Sequence, residues 1–482
     1  MNAINEETSI IDFLLSHKKS NPVSFHMPGH KGSKFYKKLG YHEFLDNITD
    51  CDITEIHGAD NLFQAETIIK YTEERYKRLY DVKKSYLLIN GTSCGLISAI
   101  LSSVKPGEKL IMARNSHKSI FNAVELGNIS PVYVHPKLVE SYGIGGEIEA
   151  DEIKKIVSEN KDAKAVVLPS PNYYGICSDI EKIADIVHSA GMILIVDQAH
   201  GAHLKFFEGY NLYPKAAESC GADIVVNSIH KTLGSFTQSA VMNVVTDSIN
   251  LELLEDKLQS IESTSPSYLL MASLDINAKI LEDKGCDVIG EWHEELNGFY
   301  YKAKLIQGLK IINTGENMDS TKINLDMSAI GISGPELENL LMKENIYVEL
   351  VTGNIVMCMT GVGNEKEDYE RLLSALKKIS EDRIKTYKGE EQTDLYDYVG
   401  LIKSISAQES AISMPKEKVK LNIDLSEDCI CAVSIIPYPP GIPLICPGEP
   451  ITKEAIRYVK YLRESGQKVM GIDENNCIVV GK

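Results

Sequence analysis

Long apolar runs are missing from this chain. No uninterrupted stretch approaches the roughly 18 residues of a membrane-spanning helix, so no membrane association is expected. Met1 to Glu7 carries neither a basic n-region nor an apolar core, so no signal peptide is read there. Basic charge is in deficit: 50 Lys and Arg stand against 68 Asp and Glu, a formal net charge of −18. That balance argues against nucleic acid or an anionic membrane surface as partner. It suits a cationic substrate, although acidity of this size more often serves solubility. Paired cysteines are absent too. The 10 cysteines are scattered, none forms Cys-x-x-Cys, and Cys429 and Cys431 have no His cluster beside them, too little for a zinc site. They read as reduced, mostly buried thiols of a cytoplasmic protein, and no metal is expected. Internal repeats and low-complexity tracts are also lacking. What is there is 482 residues, 43% apolar and 24% charged, with room for two or three domains.

The chemistry begins at strand ends. Ala222 to Asn227 is a short, β-branched apolar run that reads as a buried strand, and Ser228-Ile229-His230-Lys231-Thr232 follows at once. Taken alone, a lysine there is most often a surface residue. A desolvated lysine, however, has the lowered pKa that covalent carbonyl chemistry uses. A second buried run, Gly191 to Val196, ends in Asp197 and continues as Gln198-Ala199-His200. The C-terminal end of a central parallel strand is where α/β sheets bind ligands. A strand-end Asp and a strand-end Lys are what a pyridoxal cofactor needs: the Asp keeps the ring nitrogen protonated, and the Lys holds the aldehyde as an imine. Upstream, Ser85 to Asn90, Gly91-Thr92-Ser93 and Cys94 to Ile100 read as strand, small-residue turn and apolar helix. Free N–H groups and hydroxyls at a helix start suit a phosphate. Each signal is weak singly, since most such turns are plain helix caps. Three in this order, each at a strand end, are strong.

Around them, strands at Lys109–Ala113, Val132–Val134, Ala165–Leu168, Ile193–Asp197, Ile224–Ser228 and Ala240–Val245 alternate with helical segments. The expected fold is α/β, a mainly parallel sheet with helices on both faces. Strand alternation would put Ser228 and His230 on one side. An amphipathic helix is read over Glu66 to Tyr80, burying Ile69, Thr72, Tyr76 and Leu79 and turning Lys70, Glu73, Glu74 and Lys77 outward. Pro169 to Gly175 is a strand-end loop placed to line a cleft. A short helix over Ser9 to Ser20 leads into a polar, Gly-rich arm with His26, His30 and His57, not core material. The division read is an arm over 1–60, a large unit over 61–309, a smaller α/β unit over 310–386, and an α+β unit over 387–482 entered through a linker at Tyr387 to Gln392. The apolar strand Asn354 to Met359 has no Arg, and the nearest, Arg371, lies in a polar helical stretch. An aminotransferase of this kind clamps its substrate carboxylate with such an Arg, whereas a decarboxylase gains from holding it loosely.

Four motifs carry a resemblance: Phe25-His26-Met27-Pro28-Gly29-His30-Lys31-Gly32, Asp52-Ile53-Thr54-Glu55-Ile56, the Ser228 to Thr232 lysine motif, and Pro437 to Pro443 with Pro447-Gly448-Glu449. The chain resembles the bacterial ornithine/lysine/arginine decarboxylases, in the short form without an N-terminal receiver-like domain, over nearly its whole length. The resemblance implies pyridoxal-phosphate fold type I with a seven-stranded sheet, and decarboxylation of a basic amino acid. Arginine, giving agmatine for polyamine synthesis, is the first expectation; lysine, ornithine, or an aminotransferase-like reaction are the alternatives. It implies catalytic Lys231, Asp197 and His117, the last stacking on the cofactor ring. Cofactor contacts come from Gly91, Thr92, Ser93, Ala199, His200, Ser228 and His230, and substrate contacts from Asp52, Glu55 and Glu449. A homodimer or larger homo-oligomer with shared sites is implied, the arm lying across the site entrance. Two departures stand out: His57-Gly58 in place of an expected Pro-Gly, and Gln198 in place of an expected Glu.

Overall fold

The computed structural model describes residues 8–481 apart from 211–212, 313–314, 316, 387–416, 439–440 and 465. The linker read at Tyr387 to Gln392 and two prolines of the Pro-rich motif, Pro439 and Pro440, lie outside the described residues.

β1 (Val23–Phe25) opens the chain after a helix over Ile10–Lys19. β2 (Lys84–Leu88), β3 (Lys109–Ala113) and β4 (Ser130–Val134) follow, then a small hairpin of β5 (Leu138–Val139) and β6 (Ile144–Gly145). β7 (Ala165–Pro169), β8 (Ile193–Asp197), β9 (Ile224–Asn227) and β10 (Ala240–Val244) complete a seven-stranded sheet in the order β2-β10-β9-β8-β7-β3-β4. It is parallel except at β10, which runs antiparallel to both β2 and β9. The unbroken apolar runs follow from burial on both faces. Successive side chains point to opposite sides, so Leu110, Met112 and Ile195 join one core while Ile111, Ala113 and Val196 join another. The strand ends therefore emerge between two covered faces, a fixed platform for whatever residues terminate them.

A 36-residue helix, Tyr268–Ala303, leads from this sheet to a second one. Its strands are β11 (Lys310–Ile311), β12 (Lys322–Asp326), β14 (Leu350–Thr352) and β15 (Ile355–Met359), in the order β11-β12-β15-β14 and antiparallel throughout. Just before β14, β13 (Ile346–Val348) pairs in parallel with β1. Beyond residue 416, β16 (Lys418–Asn422) pairs with β19 (Cys477–Gly481), and β17 (Ile436–Tyr438) with β18 (Lys468–Met470), around the helix Lys453–Glu464.

Several expectations are revised. The helix Ile68–Tyr80 buries Tyr80, with Leu79 only partly covered. Glu73 is half-buried on it, and burial raises its carboxyl to about 8. All ten cysteines are free, but only Cys94, Cys177, Cys358, Cys431 and Cys446 are buried. The first part of the arm is core material after all. Phe25 is fully buried, and the Gly29 amide donates to the His230 carbonyl at 2.7 Å.

Candidate active site

Asp197 closes β8, and its neighbour β9 runs straight into one helical turn, Ile229–Thr232. That turn replaces the strand alternation expected for Ser228 and His230. It brings Lys231 back over the sheet end, where its Nζ lies 3.0 Å from His200 Nε2. The Tyr173 ring, from the loop after β7, sits 5.8 Å from the same Nζ and 4.4 Å from the His200 ring. Asp197 accepts the Ala199 amide at 3.1 Å. Burial lowers the Lys231 amine from its ordinary value, while Asp197 and Glu349 oppose that shift. Burial raises the Asp197 carboxyl, against Lys231 and the Ala199 amide. His200 is held well below the usual imidazole range, first by burial and then by Lys231 and Lys322.

The helix Gly91–Ser103 starts beside this group. Its Asn90 cap gives its side chain to the Ile261 carbonyl and accepts none of the helix's own amides, so those first amides are left for another acceptor. Gly91 takes φ +78°, a left-handed turn that glycine adopts without strain. Glu262 fixes the turn's entry by accepting the amides of Ile89 (3.2 Å) and Asn90 (3.1 Å). Thr92 and Ser228 share a hydroxyl–hydroxyl hydrogen bond, joining the helix start to the lysine turn. His230 points elsewhere: its Nδ1 donates to the Ser239 carbonyl at 2.8 Å. His117 caps the helix Lys118–Gly127, its Nδ1 accepting from the Ser119 amide at 3.3 Å. Burial, Lys231 and Lys118 hold it down at about 3, a neutral ring. A Cβ on Gly441 would stand 3.5 Å from that ring, so the C-terminal motif packs against His117.

The three substrate candidates are dispersed. Glu449 is buried and grips Arg114 twice, Nε–Oε1 at 3.0 Å and Nη2–Oε2 at 2.8 Å, while the Cys446 amide donates to Oε2 at 2.7 Å. Arg114 also donates to the carbonyls of Pro443 and Leu444. This pair fastens the C-terminal motif beside His117. Asp52 and Glu55 are exposed, and Glu55 accepts from Asn61 at 2.8 Å. Gln198 turns away from the site: its Nε2 donates to Glu218 (2.8 Å) and Asn227 (3.0 Å), and its Oε1 accepts the Ala217 amide. His57 is exposed.

Sequence reasoning missed Glu349, which follows β13, acts on Lys231 and Tyr173, and accepts the Met27 amide at 2.9 Å. A lone carboxylate in the run Ile346-Tyr347-Val348-Glu349-Leu350-Val351 was its signal.

The residues present fit pyridoxal phosphate. Lys231 offers a half-buried, desolvated amine, the His200 Nδ1 is buried without a partner among the described residues, and the uncapped helix start supplies donors for a phosphate.

A lysine and a carboxylate at the ends of adjacent strands in this sheet, beside an open helix start, define a fold type I pyridoxal-phosphate enzyme. The chain belongs to the Orn/Lys/Arg decarboxylase family, whose major domain matches residues 8–313 and whose C-terminal domain matches residues 392–476; it is an amino-acid decarboxylase. It is 30% identical to the arginine decarboxylase of Halalkalibacterium halodurans over 98% of this chain and 96% of that protein. The arginine decarboxylase of Bacillus subtilis is 29% identical over 98% and 97% respectively. The lysine decarboxylase A of Pseudomonas aeruginosa is alike in fold, with a TM-score of 0.76 at 21% identity over 98% of this chain and 80% of that one. Among the described residues no helix is long and apolar enough to cross a membrane.

Proposed function

We propose that the protein converts arginine to agmatine and CO₂ with pyridoxal phosphate bound through Lys231. The observation that carries the chemistry is the half-buried Lys231, its amine desolvated and set against His200 and Asp197. The choice of arginine rests on the near full-length likeness to proteins named arginine decarboxylase.

When bound, the cofactor supplies an electron sink for the pair left on Cα as CO₂ departs. Asp197 holds a proton at the ring nitrogen, and Thr92, Ser93 and Ser228 with the amides after Gly91 take the phosphate. His117, neutral, offers a flat face to the ring. Lys231, its affinity for protons lowered by burial, passes a proton to Cα with His200 as its partner. Each turnover consumes one proton overall, the carboxylate leaving as CO₂ and hydrogen taking its place. Arg371 serves no carboxylate: it donates to the carbonyls of Asn21 and Glu344. We assign Asp52 and Glu55 to the substrate's distal cation, reaching the site of a second copy in a homodimer, because neither is drawn into a core in its own chain.

The test is CO₂ release and amine product from the purified chain with pyridoxal phosphate, offered arginine, lysine and ornithine separately. Agmatine from arginine is expected. Cadaverine or putrescine alone would move the reading to lysine or ornithine, and a keto acid without CO₂ would overturn it.

A further inference from the structure

Behind Lys231 lies a buried ionic cluster that the chemistry above does not use. Lys322 starts β12 and is almost fully buried, and Asp319 and His203 are fully buried. Lys322 Nζ donates to Asp319 Oδ2 at 2.8 Å and to the His200 carbonyl at 2.6 Å. His203 Nε2 lies 3.2 Å from Asp319 Oδ1, and its Nδ1 lies 3.1 Å from Thr232 Oγ1. The Val362 amide, just past β15, donates to the Thr232 carbonyl at 2.9 Å. Burial pushes the Asp319 carboxyl up, but Lys322 and His203 outweigh it and hold the group well below its ordinary value.

An ion pair taken wholly out of water is poor value for stability, since an apolar replacement often does as well. What this one does have is position. Its contacts reach the His200 carbonyl and the Thr232 hydroxyl, and the Val362 amide holds the Thr232 carbonyl, on either side of the 3.0 Å Lys231–His200 pair. Lys322, Asp319 and Val362 belong to the second sheet and its flanking turns, whereas His203 follows β8 of the first, so the cluster spans the seam between the two. We propose that Lys322, Asp319 and His203 are positioning residues for decarboxylation. Between them they lock the His200 turn and the Lys231–Thr232 turn, which follow adjacent strands of the first sheet, at a fixed separation. A displacement of about 1 Å in such a pair can lower turnover by about 10²-fold. The inference rests on the role given to Lys231 above.

The experiment uses holoenzyme of Lys322→Met and Asp319→Asn, with Leu376→Ala, a core position far in sequence from the cluster, as a control for lost stability alone. Lys231 faces Asp197, Glu349 and Lys322, and His200 faces Lys231, Lys322, His117 and Asp319. Removing the Lys322 cation therefore moves the pH midpoint of the bound cofactor's visible absorbance upward. Expected besides is a kcat lowered about 10–100-fold in both cluster variants, with KM changed less than about threefold because the substrate's own contacts are untouched. If both variants only melt earlier, keeping the kcat and absorbance midpoint of the control, the cluster is structural and the proposal falls. Should Lys322→Met fail to fold, the near-isosteric Asp319→Asn gives the kcat result by itself. The wild type's own absorbance band and CO₂ release check the underlying role of Lys231, so the two failures are told apart.

Discussion

Asp197 and Glu449 are buried carboxylates facing cations, and their surroundings give them different work. Among the described residues the Asp197 carboxyl has one hydrogen bond, from the Ala199 amide, and an environment that leaves it able to face a cofactor nitrogen. Asp197→Asn keeps the shape and loses the charge, so kcat should fall about 10²–10³-fold while borohydride still traps the cofactor on Lys231. A fully active Asn variant would remove Asp197 from the electron sink. Glu449 instead has both oxygens committed to Arg114 and the Cys446 amide. Glu449→Gln leaves a buried guanidinium without its counter-charge, a loss of about 3–5 kcal/mol readable by urea unfolding. Substrate KM should stay near wild type. A raised KM with unchanged unfolding would return Glu449 to the substrate contacts that the family resemblance implies.

At the scale of elements, the arm around Gly29 shows what local patterns carry and what they do not. The strands of the seven-stranded sheet were legible because they are largely apolar runs, and the site residues Lys231, Asp197 and Gly91 were legible because they punctuate those runs. Even Glu349 broke an apolar stretch visibly. The arm is different: its interlock is made of glycines, which leave no side-chain signature. A Cβ at Gly29 would lie 2.4 Å from the Thr232 carbonyl carbon, one at Gly361 would lie 2.6 Å from Gly29 Cα, and one at Gly363 would lie 2.2 Å from the His30 oxygen. The partners lie about 200 to 330 residues apart in the chain, beyond any periodicity argument, as does the Arg114–Glu449 pair. The cluster of Lys322, Asp319 and His203 was hidden for the same reason, since its members read singly as ordinary polar residues. Gly29→Ala should therefore push directly on the lysine turn. Overpacking of this kind costs about 1–3 kcal/mol, and the expected readout is a lowered Tm with weakened cofactor retention on gel filtration. An Ala variant that keeps its cofactor and its Tm would mean the arm can shift aside.

Across the whole molecule, three histidines from distant segments meet around the lysine turn, and all are held neutral by the fold. Burial lowers His30 and His230 to about 4 and His117 to about 3, with neighbouring lysines adding to it. In the unfolded chain each would titrate near its ordinary 6.5. A depressed folded-state value means that the unfolded chain binds the protons more tightly. The stability these groups protect is thus complete above about pH 6.5 and is drained as pH falls toward 4 and then 3. The three together can remove several kcal/mol, a large share of what a folded chain has to spare. Thermal unfolding followed from pH 7.5 down to pH 4 should show Tm dropping progressively below about pH 6.5, in both the presence and absence of pyridoxal phosphate. His30→Gln, which keeps an acceptor for the Gly32 amide but cannot take up the proton, should flatten that slope while leaving the pH 7.5 value close to wild type. If the slope is the same in the Gln variant, the acid sensitivity belongs to other groups and the fold does not depress the His30 pKa.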